Sequence, residues 1–360
     1  MNIVIDTAGF GKANSLETVK NSFINLAKDF PDHVFLILTS GEKSIGPAVS
    51  NVIFEEVVLS TRTTFYAWYK YQKSISVILK KHKADLFVTS ILFSKILLKT
   101  EQILLVGHLA PLIYTFSFTK DEQSFYKKYI TNSIRKANKI ITSSDKWKEE
   151  IIQGFKKSAD QIELLLPKNI ERTIPTLSIK NKLTENCEYF LVVDQRIDTP
   201  KLIYLLKAFS AFKKRLKSSM KIIFLLKKEQ QPEFESGIKS YKYRNDIVQV
   251  IINQEEHIYP YTHEAYAIIY NCIYTDFEYN VPDTINSNTI MIAADSDYND
   301  ARRLLKEAAV YYNYKDITSL AEAMIKIYKD EILRNKLILL QNEYALNWKK
   351  DKKLGSFCNL

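Results

Sequence analysis

Hydrophobic positions along the chain fall into short apolar runs rich in β-branched residues, separated by stretches whose apolar positions follow a helical spacing. Buried parallel strands show the first pattern, and helices that cover a sheet show the second. In the first half, strands are predicted at Asn2–Asp6, Val34–Thr39, Val52–Val58, Leu86–Ser90, Ile103–Gly107, Lys139–Thr142 and Ile162–Leu166. Helices are predicted at 15–27, Phe65–Lys80, Tyr126–Ala137 and Lys146–Phe155.

The pattern breaks near the middle of the chain. Between Pro167 and Cys187, prolines and small polar residues interrupt the periodicity, as is typical of a linker between domains. Beyond it, strands are predicted at Tyr189–Val193, Lys221–Leu226, Ile247–Ile252, Ala267–Ile273, Thr289–Ala294 and around Val310. Helices are predicted at Lys201–Leu216, Glu233–Tyr241, Asp300–Lys306, Ser319–Asp330 and Ile332–Trp348.

Two such series of strands and helices predict an α/β protein with two Rossmann-like, doubly wound parallel-sheet lobes that face each other across a cleft. The length of 360 residues agrees, because single cores stop growing at roughly 250 to 300 residues. We expect a first lobe over 1–170, a linker over 171–187, a second lobe over 188–340 and a final helical segment over 341–360. Ligands of open α/β sheets bind at the carboxyl ends of the strands, so the site is expected there.

Composition narrows the function classes. The sequence has only 8 glycines, which gives little support to a glycine-rich phosphate loop. Three distant cysteines and five histidines without metal-ligand spacing predict a reducing compartment and no metal site. The chain begins with a predicted strand and contains no apolar stretch long enough to span a membrane, so we expect a cytoplasmic protein without a signal peptide.

The net charge of +10 is concentrated in the first half, where residues 1–173 hold 24 Lys and Arg against 17 Asp and Glu. Such a surface suits anionic lipid headgroups, a lipid-pyrophosphate acceptor or nucleic acid, or it is simply a solvated lysine surface. Helix 65–80 combines aromatic residues with lysines, which fits a helix lying on a membrane or one covering the first sheet. Because no nucleic-acid recognition motif is present, binding to nucleic acid is not expected.

A short loop, Gly9, Phe10 and Gly11, follows the first predicted strand and precedes a helix. Backbone N–H groups of such a loop can bind a phosphate or a sugar at the helix N-terminus. A tight turn that needs glycine for a positive φ would have the same sequence. Both interpretations stay open.

His108 lies at the end of the strand predicted at Ile103–Gly107. A neutral imidazole at a strand end can bond a sugar hydroxyl or accept a proton. The alternative is a histidine with a structural role only.

Arg196 and Lys201 lie in the loop that follows the first strand of the second lobe and opens a helix. Two fixed cations at this place can bind a pyrophosphate and stabilise the charge that develops on it without a metal. Two surface cations would give the same pattern.

In their order along the chain, these landmarks resemble the GT-B glycosyltransferases of family four, which move a sugar from a nucleotide donor with retention of anomeric configuration. The resemblance implies a GT-B fold, with the acceptor on the first lobe and residues 341–360 returning to that lobe. It implies that Gly9 and Gly11 lie near the donor phosphates and acceptor, and that His108 lies over the transferred sugar. Arg196 and Lys201 would then grip the donor pyrophosphate.

The same resemblance places Thr275 and Asp283 where the family has the two glutamates of an E-x7-E motif. The first glutamate lies beside the transferred sugar, and the second contacts the nucleotide ribose. Asp283 retains a carboxylate for the ribose, whereas Thr275 cannot supply the first charge. Asp276 and Glu278 are the neighbouring carboxylates that would replace it in a shifted loop.

These observations predict a glycosyltransferase that takes a sugar from a UDP- or GDP-linked donor, without a further cofactor, to elongate a bacterial surface polysaccharide or related glycoconjugate. The catalytic candidates are His108, Asp276 and Glu278, and the donor-binding candidates are Arg196, Lys201, Asp283 and Thr275. Expected partners are the nucleotide sugar, a glycan or lipid-linked acceptor and the anionic inner face of the cell membrane. Thr275 and the scarcity of glycine favour an alternative, a catalytically inactive GT-B subunit that stabilises a partner or binds a glycan.

Overall fold

The computed structural model describes residues 1–7, 17–39, 49–57, 65–93, 99–165, 178–194, 197–252, 258–277, 281 and 289–350. These residues form two compact units. Unit 1 contains the described residues up to 165 together with 276–277, and unit 2 contains the remainder.

Unit 1 is built on a seven-stranded parallel sheet with the order β3-β2-β1-β4-β5-β6-β7. Its strands are β1 (Asn2–Asp6), β2 (Val34–Thr39), β3 (Val52–Glu56), β4 (Leu86–Thr89), β5 (Glu101–Val106), β6 (Lys139–Thr142) and β7 (Ile162–Leu164). The strand order reverses between β1 and β4, which is the switch point of a doubly wound sheet. Ile3 and Ile5 pack on one face of this sheet and Val4 packs on the other, so both faces of β1 are buried.

The helices of unit 1 are α1 (Glu17–Asp29), α2 (Phe65–Lys81), α3 (Ala110–Ile113), α4 (Lys120–Phe125), α5 (Thr131–Lys136) and α6 (Asp145–Phe155). A π-helical turn, Tyr126–Ile130, joins α4 to α5. Thr119 and Glu122 form a capping box that satisfies two backbone N–H groups where α4 begins. Most residues between β5 and β6 lie in helical turns.

Helix α2 has two different faces. Tyr71, Ile75 and Leu79 are buried in the cluster that covers one face of the unit 1 sheet. The opposite face exposes the lysines and two apolar residues, namely Tyr69, Lys70, Lys73, Val77, Lys80 and Lys81. The helix therefore covers the first sheet, which was one of the two interpretations of its sequence. It also presents a basic surface.

Unit 2 is built on a six-stranded parallel sheet with the order β10-β9-β8-β11-β12-β13. Its strands are β8 (Tyr189–Val193), β9 (Lys221–Leu226), β10 (Ile247–Ile251), β11 (Ala267–Tyr270), β12 (Ile290–Ala294) and β13 (Val310–Tyr312). The switch point lies between β8 and β11. All side chains of β8, β11 and β12 are buried, which explains their uninterrupted apolar sequences.

The helices of unit 2 are α7 (Ile179–Leu183), α8 (Thr199–Leu216), α9 (Gln231–Ile238), α10 (Tyr259–His263), α11 (Ala301–Leu305), α12 (Ile317–Lys329) and α13 (Glu331–Lys350). Helix α13 is bound to the sheet by Gln341, which accepts a hydrogen bond from the Met291 N–H and donates to the Thr289 carbonyl. Within the described part of the chain, no helix combines the length and the hydropathy that crossing a membrane requires.

The sequence predictions of two doubly wound parallel sheets are confirmed, and each predicted strand is present with small shifts at its ends. The helices between them differ more. The chain is already helical at α3 and at α4, before the helix predicted at Tyr126–Ala137, and the Thr119–Glu122 capping box starts α4. The linker predicted over 171–187 contains α7, which Ser178 caps. Residues 171–177 and 351–360 lie outside the described residues.

Candidate active site

The switch point of the unit 2 sheet carries a row of polar side chains. Asp194 directly follows β8, and Asn271 directly follows the neighbouring β11. Because Val193 pairs with Tyr270, the next residues along the two strands lie side by side at the carboxyl edge. Asn271 donates from Nδ2 to Oδ2 of Asp194 at 2.5 Å.

Tyr312 extends this row from the far side of the sheet. It is the last residue of β13 and pairs with Ala294 of β12. Ala294 in turn lies beside Asn271, because the residues before them, Ala293 and Tyr270, are paired. The small side chain of Ala294 lets the phenol reach across β12, where its hydroxyl donates to Asn271 Oδ1 at 2.6 Å. Burial raises the pKa of Tyr312 well above its usual range, so the phenol stays protonated and remains a donor.

Lys201 adds a cation to the row from the first turn of α8. Asp198 caps this helix by accepting a hydrogen bond from the backbone N–H of Lys201 at 3.0 Å. The side chain of Lys201 donates from Nζ to Asp194 Oδ1 at 2.7 Å. The side chain of Asp194 is 0% exposed and that of Lys201 is 22% exposed, so solvent reaches the lysine and not the carboxylate. The lysine therefore lies at a strand end and a helix N-terminus, where anions bind.

The remaining predicted donor residues lie in the same region of the sequence. Thr275 follows β11, is 2% exposed and donates from its backbone N–H to the Tyr298 carbonyl at 2.7 Å. A buried threonine therefore occupies the position where the resemblance implies the first glutamate. Arg196 and Asp283 lie outside the described residues.

His108 lies at the carboxyl edge of the unit 1 sheet, just after β5. The residue is 4% exposed, and its Nδ1 accepts a hydrogen bond from the Ala110 N–H at 3.3 Å. This bond assigns the ring proton to Nε2. Burial lowers the pKa of His108 to about 3, so the imidazole is neutral at physiological pH.

Tyr126 covers His108. The two rings stack with their centroids 5.5 Å apart, and the phenol oxygen lies 3.5 Å from His108 Nε2. Tyr126 is the first residue of the π-helical turn, a feature that redirects side chains and occurs often at functional sites. Phe118 also stacks on the imidazole, at 6.2 Å. The histidine is thus enclosed by aromatic rings.

Asp276 and Phe277 pack with unit 1. Asp276 is 4% exposed, and its charge adds to the effect of burial in raising the pKa of Tyr126 above its usual range. Phe277 lies against Gly107, where an added Cβ would come within 3.0 Å of the phenylalanine ring. Glycine therefore permits this close approach next to His108. The structure brings two predicted catalytic residues, His108 and Asp276, near one tyrosine; Glu278 lies outside the described residues.

A second buried carboxylate lies at the switch point of the unit 1 sheet. Asp6 ends β1, is 1% exposed and accepts a hydrogen bond of 2.6 Å from the Tyr71 hydroxyl. The loop of Gly9, Phe10 and Gly11 starts shortly after it, outside the described residues. The structure therefore describes the strand end from which that loop departs.

The sequence analysis missed the row of Asp194, Asn271 and Tyr312, and it missed Tyr126. Asp194 and Asn271 each follow an apolar run directly, which is a readable signal for a strand-end position. Tyr126 gives no such signal, because its place over His108 depends on the π-helical turn.

The two edges offer different chemistry. The unit 2 edge has a cation beside a hydrogen-bonded carboxylate, which suits an anionic ligand. The unit 1 edge has a neutral imidazole and a carboxylate among aromatic rings, which suits a hydroxylated ligand. Among the described residues, no group of three or more His, Cys, Asp and Glu side chains is arranged to hold a metal ion.

Solved structures resemble this chain over nearly all of its length. Sucrose-phosphate synthase from Thermosynechococcus elongatus matches with a TM-score of 0.72 at 12% identity, covering 96% of this chain and 94% of the other. Anabaena HepE, in complex with UDP and glucose, matches with a TM-score of 0.71 at 12% identity, covering 96% and 95%. WaaG, a glycosyltransferase involved in lipopolysaccharide biosynthesis, matches with a TM-score of 0.70 at 13% identity, covering 96% and 95%.

The fold is GT-B. At these identities the likeness establishes the fold alone. No family model matches the sequence, and no curated protein matches it significantly. The GT-B fold agrees with the two doubly wound sheets and with the expectation drawn from the sequence landmarks.

Proposed function

We propose that this protein is a glycosyltransferase that transfers a sugar from a nucleotide-sugar donor to a glycan or glycolipid acceptor in the synthesis of a bacterial surface polysaccharide or glycoconjugate. The observation that carries the proposal is the position of Lys201, held at the switch point of the unit 2 sheet of a GT-B chain. Switch points are where doubly wound sheets bind nucleotides.

On the donor side, Lys201 and Arg196 bind the pyrophosphate of a UDP- or GDP-linked sugar. Asp283 accepts hydrogen bonds from the ribose hydroxyls, and Thr275 lies beside the donor sugar. Gly9, Phe10 and Gly11 form the loop on the phosphate and acceptor side. HepE, one of the proteins with this fold, has been crystallised with UDP-glucose, which supports the choice of a UDP-linked donor as first probe.

The proposed reaction retains the anomeric configuration and needs no metal. The bond between the anomeric carbon and the phosphate oxygen breaks, and its electron pair stays on the departing nucleotide. The acceptor oxygen attacks the same face, and its proton passes to that phosphate oxygen. Fixed cations stabilise the charge that accumulates on the leaving group, which is where such a site gains most of its rate.

On the acceptor side, His108, Asp276 and Glu278 are the proposed catalytic residues. A neutral His108 hydrogen-bonds a sugar hydroxyl, which its lowered pKa permits across the physiological range. Asp276 supplies the carboxylate that Thr275 cannot, and it lies in the same unit as His108. Its charge would stabilise the positive character of the sugar in the transition state.

The second candidate function is a catalytically inactive GT-B subunit that stabilises a partner or binds a glycan. Two observations favour it. Thr275, which the resemblance places at the first glutamate, is buried, and His108 is enclosed by aromatic rings. Such a subunit could keep nucleotide binding while it has lost turnover.

For location, we propose a cytoplasmic protein that contacts the anionic inner face of the membrane through α2. The exposed face of α2 carries Lys70, Lys73, Lys80 and Lys81 with Tyr69 and Val77, and the helix has no acidic residue. Lysines attract anionic headgroups and the apolar residues enter the interface. Vesicles with and without anionic lipid would test this contact.

The function is tested by thermal shift and by donor turnover. UDP, GDP, CMP and their sugars are added to the wild type, to Lys201→Ala and Arg196→Ala, and to Lys207→Ala, an exposed lysine on α8 that serves as matched control. We expect one nucleotide to stabilise the wild type and the control and to lose most of its effect in the two site variants. Absence of stabilisation by any nucleotide contradicts the donor site, and binding without transfer or donor hydrolysis supports the inactive subunit.

A further inference from the structure

A buried carboxylate lies beside the cation that would bind the donor phosphates. Asp194 pairs with Lys201 at 2.7 Å, and its side chain is wholly enclosed while that of Lys201 is partly exposed. An anion that approaches Lys201 from solvent therefore meets an ammonium whose charge Asp194 already balances. This pair bears directly on how strongly the edge attracts a phosphate.

The hydrogen bonds of Asp194 are those of an ionised carboxylate. Lys201 and Asn271 both donate to it, one to each carboxylate oxygen. Because Asn271 donates to Asp194 from Nδ2, its Oδ1 faces Tyr312, and the Tyr312 hydroxyl donates to that oxygen. In this direction every donor of the row meets an acceptor, because a carboxylate accepts at both oxygens and a phenol can donate.

Asp194 holds the ammonium of Lys201, whereas the backbone of Lys201 is fixed without it. Its backbone is held in the first turn of α8 by the Asp198 cap, and Pro200 precedes it within that turn. Removing the Asp194 charge would leave the Lys201 backbone in the first turn of α8, with the ammonium still within side-chain reach of the helix N-terminus. The main effect of the carboxylate on a bound phosphate is therefore its negative charge.

We propose that Asp194 is a specificity-determining residue that weakens the hold of this edge on anions. Because its negative charge balances the positive charge of Lys201, the edge does not bind free pyrophosphate or a nucleotide product tightly. Tight binding of the donor then requires contacts with the other parts of the donor molecule. The inference rests on the proposed function for its donor, but its charge argument applies to any phosphate at Lys201.

The experiment measures affinity for UDP and for inorganic pyrophosphate by titration calorimetry at two ionic strengths. The variants are Asp194→Asn, Lys201→Met and the double variant, with Asp246→Asn as control. Asp246 pairs with Lys213 at 2.9 Å, so Asp246→Asn removes an ion pair that lies outside the row. Asp194→Asn should bind both probes about tenfold more tightly, with a steeper salt dependence, because one negative charge near the phosphate has gone.

The gain must require Lys201. In the Lys201→Met background, Asp194→Asn should therefore bring no tighter binding, and the Asp246 control should bind as the wild type does. Unchanged or weaker binding by Asp194→Asn, or an equal gain without Lys201, would overturn the proposal. Asp194→Ser is measured in parallel, and failure of both variants to fold would assign Asp194 to stability and overturn it as well.

The outcomes separate this inference from the proposed function. In one outcome, the wild type binds no nucleotide, while Asp194→Asn gains affinity for pyrophosphate in a way that requires Lys201. This result would support the proposed effect of Asp194 on anion binding and contradict the proposed donor site. If the wild type binds UDP and Asp194→Asn binds it no better, the donor site holds and the inference fails.

Discussion

The carboxyl edges of the two sheets are built in opposite ways. The unit 2 edge is a polar row, Asp194, Asn271 and Tyr312 with Lys201, in which short hydrogen bonds join each member to the next. At the unit 1 edge, His108 is enclosed by Tyr126 and Phe118, and its contact with the Tyr126 hydroxyl is a long one of 3.5 Å. One edge is organised by charge and the other by packing.

Under the proposed function, this difference would divide the work of group transfer between the two edges. A site that binds a charged nucleotide needs cations whose directions are fixed in advance, which a hydrogen-bonded row provides. A site that receives a neutral hydroxyl needs a neutral imidazole, which the burial of His108 provides. Four predictions test whether the two edges differ in this way, from the largest expected effect to the smallest.

The largest effect is expected at the unit 1 edge, from Asp276→Asn. Loss of the proposed catalytic charge should lower transfer about 100-fold, because removing one stabilising group from an active site has that order of effect. UDP affinity should stay at the wild-type value, since the donor edge is untouched. Asp121→Asn, at an exposed position of α4, serves as control. Unchanged turnover by Asp276→Asn would remove Asp276 from the catalytic set.

The second prediction concerns the pH dependence of stability. The unfolded chain protonates His108 below its ordinary pKa of 6.5, whereas the folded unit excludes the proton down to about pH 3. Folding stability from this group is therefore fully present above pH 6.5 and is lost as the pH falls, by about 1.4 kcal/mol per pH unit. Urea unfolding at pH 7 and pH 5 should show the wild type losing about 2 kcal/mol more than His108→Gln. Equal losses would mean that the histidine is accessible to protons.

The third prediction breaks the polar row from its far end. Tyr312→Phe leaves the buried Asn271 carbonyl without its donor, so the free energy of unfolding should fall by about 1 to 3 kcal/mol. Tyr311→Phe is a neighbouring control, because its hydroxyl donates at 3.2 Å to the Ala301 carbonyl from a half-buried position. Chemical denaturation should rank the Tyr312 variant as clearly less stable. A reversed order would mean that the row contributes little.

The smallest effect is expected from the corresponding tyrosine of the unit 1 edge. Tyr126→Phe removes only the long contact to His108 and keeps the stacked ring, so stability should change by less than about 0.5 kcal/mol. The same denaturation experiment measures it beside Tyr312→Phe. A loss as large as that of Tyr312→Phe would show that hydrogen bonding, and not packing, organises this edge as well.

The sheets could be predicted from the sequence because their strands are buried on both faces. The continuous apolar runs of β8 and β12 are typical of parallel strands that are buried on both faces. The start of α4 was missed although Thr119 and Glu122 are a readable capping signal, because the aromatic residues before it follow no helical spacing.

The polar row at the unit 2 edge could not be predicted from the sequence, and the reason is the order of the strands. Asp194, Asn271 and Tyr312 are far apart in the chain and meet because β8, β11, β12 and β13 are neighbours in register. Tyr312 further depends on Ala294, whose small side chain leaves room for the phenol. Lys201 was predicted because its position next to a strand end and a helix start is local in sequence.

Phe277 has a consequence for the order in which the molecule is completed during synthesis. This ring belongs to the core of unit 1, among residues such as Ile5 and Leu105, yet it is made after the first strands of unit 2. Until it arrives, the growing chain holds the core of unit 1 with one ring absent. The first unit to be translated can therefore reach its final packing only after the ribosome has synthesised much of the second.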